Sequence, residues 1–109
     1  MRGIGVDLVE TARFERSTYE FARLVLTDKE FEEYFQRNKS IHYLATRFAA
    51  KEAAIKALGY PLGFQSIQIT NGDHGKPELK FLATGTKVKS AMVSLSDEKE
   101  YVVAMVLLE

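Results

Sequence analysis

Residues 40–59 read SIHYLATRFAAKEAAIKALG, and this stretch decides the architecture. Ile41, Leu44, Ala45, Phe48, Ala49 and Ile55 recur at helical spacing along one stripe, alanine-rich enough for close packing. Ser40 can cap the first turn, and Gly59, followed by Pro61, is a stop signal. The spacing therefore predicts one long helix from Ile41 to Leu58. Glu52 interrupts the stripe, four residues after Phe48 and three before Ile55. A carboxylate in an apolar stripe is costly unless it is paired or holds a cation. Lys56, at i+4, offers an intrahelical partner, and a bound cation is the other solution.

Upstream of this helix, Ile4, Val6 and Leu8 alternate with Gly3, Gly5, Asp7 and Val9, a period of two that predicts a strand. The glycines on the Asp7 face invite another backbone to approach closely, and the long helix is the obvious visitor. A helical pattern runs from Thr11 to about Leu26, with Phe14, Phe21, Ala22 and Val25 as its apolar positions. Thr27-Asp28-Lys29-Glu30 has the form of a capping box, opening a helix that carries Phe31, Tyr34 and Phe35. Asn38-Lys39-Ser40 breaks it.

Downstream of Gly63 the period returns to two. Ile67 and Ile69 alternate with polar residues, Asn71-Gly72 and His74-Gly75-Lys76-Pro77 read as turns, and Leu79 and Phe81 alternate again. Thr84 to Ala91 is expected to hold a helical connection. Met92–Leu95 and Tyr101–Leu108 are expected to be strands joined by the polar turn Ser96–Glu100, and the run Val102–Leu108 is apolar on both faces, as in a central strand. One strand, a helical block and then several strands make an α+β fold. A length of 109 residues makes it a single domain, 1–109.

Composition removes several function classes. Fifteen Lys+Arg balance fifteen Asp+Glu, which demotes a non-specific nucleic-acid binder. The absence of cysteine removes disulfides, thiolate zinc sites and cysteine nucleophiles. MRGIGVDLVE reaches an acid before any apolar run develops, so neither a signal peptide nor a membrane span is expected and the cytoplasm is the default. Gly3-x-Gly5 lacks the third glycine of a dinucleotide fingerprint, because Leu8 stands there, and Gly75-Lys76 continues into Pro77 rather than the Ser or Thr of a phosphate loop. His42 and His74 have no metal-like spacing.

What remains is a small constellation. If the long helix packs on the glycine face, Asp7 meets Glu52 with Lys56 one turn away. Asp7 alone could equally be a strand-end acid that starts a turn. Two carboxylates are few for a calcium cage but suit magnesium, which completes its shell with water and substrate phosphate. A neighbouring lysine balances charge on phosphate oxygens. From residues alone this is a magnesium-assisted phosphate-handling site. A non-catalytic α+β module docking an acidic partner is the competing class, although such a module has no need of Glu52 within an apolar stripe. A structural oligomerisation domain would explain the apolar carboxy-terminal run but not Asp7, Glu52 and Lys56.

GIGVDLVE (3–10) and RFAAKEAAIKALG (47–59) resemble the two signatures of the holo-[acyl-carrier-protein] synthase family, the short bacterial-type branch of the 4′-phosphopantetheinyl transferases. The resemblance extends through Gly75-Lys76-Pro77 to Val93-Ser94-Leu95-Ser96. It implies transfer of the phosphopantetheine arm of coenzyme A to a serine of apo acyl carrier protein, with release of adenosine 3′,5′-bisphosphate, in support of fatty acid biosynthesis. By the same resemblance, Asp7 and Glu52 would hold Mg2+ and Lys56 would stabilise or protonate the leaving phosphate. Arg47, Gly59, Lys76, Pro77 and Ser96 would lie near the nucleotide. The carrier protein, typically acidic, would be received on Arg13, with Arg16 and Arg23 as looser matches; a solvated helix face beside Glu15 and Glu20 is the plainer account of these arginines. A homotrimer with active sites between subunits is implied as well. One position departs from the pattern. The family places a histidine directly after the Ser-x-Ser of the late strand, and this chain has Asp97. An aspartate there repels phosphate unless protonated or paired, for instance with Lys99; either Asp97 is an alternative base, or it is a turn acid and the histidine is dispensable.

Overall fold

The computed structural model describes residues 2–109. The chain runs β1 (Gly3–Glu10), a short 3₁₀ turn (Thr11–Phe14), α1 (Tyr19–Val25), α2 (Asp28–Gln36), α3 (Ile41–Leu58), β2 (Ile67–Asn71), β3 (Pro77–Phe81), β4 (Ala91–Asp97) and β5 (Tyr101–Leu108). Strands β1, β5 and β4 form an antiparallel sheet with β5 central, and β2 pairs with β3 in a separate hairpin. The α+β class, the long helix and the central position of the carboxy-terminal strand follow the sequence expectation.

The signals at the helix ends act as their chemistry requires. Ser40 accepts a hydrogen bond from the Tyr43 N–H, and Gly59 closes α3 in the left-handed region at φ 81°, where a side chain would be strained. The Thr27–Glu30 capping box is complete, each side chain accepting from the other's backbone N–H. Asn38 and Lys39 both take positive φ, which turns the chain between α2 and α3.

Three expectations are corrected. The segment from Thr11 to Leu26 is not one helix: Thr18 intervenes as an extended N-cap that accepts from the Phe21 N–H, so α1 begins only at Tyr19. Thr84–Ala91 holds no helix. Its Thr-Gly-Thr start favours turns, and the Lys89 and Ser90 N–H groups donate to the Glu109 carbonyl instead of to one another's turn. Ser96 and Asp97 are not turn residues, because their register opposite Val103 and Val102 extends β4 by two residues.

The core lies between α3 and the three-stranded sheet. Gly3 and Gly5 let α3 come so close that a Cβ on Gly5 would overlap the Ala53 carbonyl oxygen and lie 2.8 Å from the Ala57 nitrogen. The buried side of α3 is alanine-rich, with Ala49, Ala50, Ala53, Ala54 and Ala57 against this smooth floor. The predicted stripe is thereby turned outward in part. Ile41, Phe48 and Ile55 are only half-buried, as is Glu52, whereas Arg47 and Lys51 lie on the buried side. Alanine wins the interior because only small side chains fit against a glycine-lined strand.

The opposite face of the sheet is apolar and uncovered. Cross-strand rows Ile4–Leu107–Met92, Val6–Met105–Ser94 and Leu8–Val103–Ser96 point away from α3. Ile4 and Leu8 are each 64% exposed and Met92 60%. A contiguous apolar surface of this kind marks an interaction site.

Candidate active site

Asp7 occupies the inner face of β1, in register with Ala104 of β5, whose small side chain leaves room beside the carboxylate. Its Oδ1 accepts from Lys56 Nζ at 3.1 Å, and the same ammonium reaches the Val6 carbonyl at 3.1 Å. Lys56 therefore goes to Asp7, across the helix–strand contact, rather than to Glu52. Glu52 stands one turn before Lys56 on the same side of α3. The helix thus presents the Lys56 ammonium to Asp7, with the Glu52 carboxylate on the same side one turn earlier.

Asp7 Oδ2 is buried and accepts no hydrogen bond. A buried carboxylate oxygen without a donor needs a cation or a further proton to offset its lost hydration. Among the described residues no cluster of three or more His, Cys, Asp or Glu side chains could hold a metal unaided. A cation between Asp7 and Glu52 would accordingly draw the rest of its shell from water and phosphate. The hard oxygen donors and their small number fit magnesium.

Arg47 is the second unusual group. It is 3% exposed, yet no carboxylate meets its guanidinium among the described residues. Nη2 donates to Asn71 Oδ1 at 3.2 Å and Nη1 to Thr46 Oγ1 at 3.2 Å; the guanidinium lies 4.2 Å from the Tyr43 ring centroid, and Nε has no partner. Burial raises the Tyr43 pKa; Arg47 opposes the shift and the neighbouring Glu33, which accepts from its hydroxyl, adds to it. Asn71 sits opposite Pro77 in the β2–β3 register, so Arg47, Pro77 and the adjacent, exposed Lys76 gather at one end of that hairpin. Lys76 and Pro77 also line a cleft of about 660 Å³ between β3 and β4. A buried guanidinium facing neutral acceptors leaves positive charge that an anion would balance.

The remaining candidates are dispersed. Gly59 ends α3, about 18 Å along the axis from Arg47 at 1.5 Å per residue. Ser96 lies on the uncovered face of the sheet, not on Asp7's face, and Asp97 is exposed at the end of β4. Arg13 and Arg16 line one shallow cleft of about 310 Å³ with Phe14 and Phe21, and Arg13 lies over the Phe14 and Phe48 rings. Arg23 is not part of that cleft. It pairs with Asp28 at 2.9 Å and covers the Phe31 ring.

Sequence reasoning overlooks Asn71 and Tyr43 as the groups that hold Arg47, and Lys51 altogether. Lys51 is wholly buried and ion-paired to Glu30 at 2.5 Å. Its neighbours Ala49, Ala50, Ala53 and Ala54 are the signal that could have found it, because a lysine among alanines on a packed helix must bring its own partner.

The sequence pattern of the 4′-phosphopantetheinyl transferase superfamily matches residues 3–106. The holo-[acyl-carrier-protein] synthase of Vibrio atlanticus is 44% identical, the match covering 98% of this chain and 96% of that protein. Among solved structures, that of holo-[acyl-carrier-protein] synthase from Neisseria meningitidis superposes with a TM-score of 0.88 at 34% identity, covering 98% of this chain and 97% of that one. The Bacillus anthracis holo-(acyl-carrier-protein) synthase in complex with CoA (3′,5′-ADP) gives 0.86 at 36% identity, covering 98% and 95%.

Proposed function

We propose, since this chain belongs to the 4′-phosphopantetheinyl transferase superfamily, that it is a holo-[acyl-carrier-protein] synthase, moving the 4′-phosphopantetheine group of coenzyme A onto a serine of apo acyl carrier protein. The observation that carries the site assignment is the buried, unpartnered Asp7 Oδ2 beside Lys56.

Asp7 and Glu52 would hold Mg2+, which when bound polarises the phosphorus and neutralises charge on the pyrophosphate. The carrier's serine oxygen, its proton passing to solvent, attacks the phosphorus that bears the pantetheine arm. The bond from that phosphorus to the bridging oxygen breaks, and adenosine 3′,5′-bisphosphate departs. Lys56 would stabilise or protonate the leaving phosphate, a role its hydrogen bonds to Asp7 and the Val6 carbonyl support. Arg47 supplies positive charge for the nucleotide phosphates, supported by its burial without a carboxylate, and Lys76 and Pro77 extend the same region. Gly59 and Ser96 complete the nucleotide contacts. Asp97 acts as a strand-end acid and not as the base, in keeping with its exposure.

We further infer a homotrimer with active sites between subunits. Two features support it: the apolar outer face of the sheet is uncovered, and Ser96 lies on that face, apart from Asp7, as expected of a site completed by a second copy. Fatty acid biosynthesis is the corresponding process and the cytoplasm the corresponding compartment. No helix among the described residues is long and apolar enough to cross a membrane.

The acidic carrier is received on Arg13 and Arg16, with Arg23 contributing from beside Asp28. Arg13→Glu is expected to raise the KM for apo carrier protein at least tenfold and to flatten its salt dependence, because a long-range attraction has been reversed. Coenzyme A affinity should stay within about twofold of wild type, tenfold being about 1.4 kcal/mol. Steady-state kinetics with carrier varied, and calorimetry with coenzyme A, make the check. Unchanged carrier KM with lost coenzyme A binding would move Arg13 to the nucleotide site.

A further inference from the structure

Lys51 and Glu30 form an ion pair with both side chains at zero exposure. Around the pair, several segments converge. Lys51 Nζ also donates to the Val25 carbonyl at the end of α1, 2.7 Å away. Glu30 Oε1 accepts from the Thr27 N–H at 2.9 Å, and Oε2 from the Ile69 N–H of β2 at 2.7 Å. The last turn of α1, the cap and first turn of α2, the middle of α3 and the edge of β2 are therefore fastened at one point.

Such a pair is an inefficient way to gain stability, because an apolar pair of similar volume avoids the desolvation cost. Its value lies in what the alanine–glycine contact of α3 lacks. The contact of α3 with β1 is alanine on glycine, which allows close approach but offers few interlocking side chains to fix rotation or sliding. The catalytic constellation has little tolerance for either. A side chain roughly 6 Å from the helix axis moves about 1 Å when the helix turns by about 10°, and misplacement of about 1 Å can cost ~100-fold in rate. Lys51 lies on a different side of α3 from Glu52 and Lys56, so fixing Lys51 fixes the orientation of the other two.

We propose that the buried Glu30–Lys51 pair is the positioning element of the active site, setting the rotation and axial register of α3 so that Glu52 and Lys56 meet Asp7. This rests on the assignment of Asp7, Glu52 and Lys56 above. Neither Glu30 nor Lys51 touches substrate; both act through α3.

The test is the double variant Glu30→Gln, Lys51→Met, which removes both charges at nearly constant volume. Folding is monitored by circular dichroism and thermal midpoint. Two functional readouts are taken at a temperature where the variant is fully folded: kcat for carrier modification, and the factor by which magnesium tightens coenzyme A binding in calorimetry. The expected result is a folded protein whose kcat falls at least tenfold, with the magnesium factor reduced and coenzyme A binding without magnesium little changed. A folded double variant with kcat within about twofold of wild type, where tenfold is the effect of ~1.4 kcal/mol, and an unchanged magnesium factor would overturn the proposal. If the double variant does not fold, Lys51→Met alone carries the test, because Glu30 keeps the Thr27 and Ile69 N–H groups as donors: the same fall in both readouts supports the proposal, and unchanged values overturn it. A wild-type protein showing neither transfer nor a magnesium effect would instead remove the assignment on which the proposal rests.

Discussion

Glu52→Gln is expected to lower the transfer rate by roughly a thousandfold or more, about 4 kcal/mol of barrier, with the fold intact. Glutamine preserves the shape of this half-buried side chain, so stability should change by no more than about 0.5 kcal/mol. The charge is what is lost. With Asp7 left as the sole carboxylate, and already shared with Lys56 at 3.1 Å, the positive charge needed on the pyrophosphate is no longer held in place. Calorimetry should show that magnesium tightens coenzyme A binding to the wild-type protein and fails to do so in the variant. A variant within tenfold of wild-type rate, with magnesium-dependent tightening preserved, would remove Glu52 from the site.

Gly5→Ala is expected to cost at least about 3 kcal/mol of stability, a fall in thermal midpoint of roughly 12 °C or more. The added Cβ would overlap the Ala53 carbonyl oxygen and stand 2.8 Å from the Ala57 nitrogen, both in the backbone of α3. A helix backbone cannot step aside alone, so α3 as a whole must lift from β1 and carry Glu52 and Lys56 with it. Gly72→Ala makes a matched comparison. There the obstructing atom is the carboxylate tip of Glu78, which can swing into solvent, so the loss should be far smaller. Differential scanning calorimetry of the two variants distinguishes these outcomes. Equal midpoints would mean that the helix–strand contact is not the tight element it is taken to be.

The helix from Ile41 to Leu58 is legible to the residue because its boundaries are set locally, by Ser40 and by Gly59. The same holds for the Thr27–Glu30 box. The approach of α3 to Asp7 is also legible, since glycines at alternate strand positions have few other uses on a packed face. What the sequence obscures depends on partners distant along the chain. Periodicity locates a stripe on α3 but not which side is interior, because alanine carries little apolar weight and Arg47 and Lys51 argue against burial until Asn71 and Glu30 are seen to receive them. Thr84–Ala91 reads wrongly as helical because its backbone partner is Glu109, beyond any local window. Asp97 looks like a turn residue among its charged neighbours, whereas its strand character comes from Val102 across the hairpin.

The assignment of this chain as a phosphopantetheinyl transferase is tested most directly by incubating it with apo acyl carrier protein, coenzyme A and magnesium and weighing the carrier by intact-mass spectrometry. Expected is a mass gain of one phosphopantetheine group on a single serine, with adenosine 3′,5′-bisphosphate released in equal amount. A carrier of unchanged mass, with every carrier tried and no coenzyme A bound, would contradict the assignment and leave a docking module without chemistry.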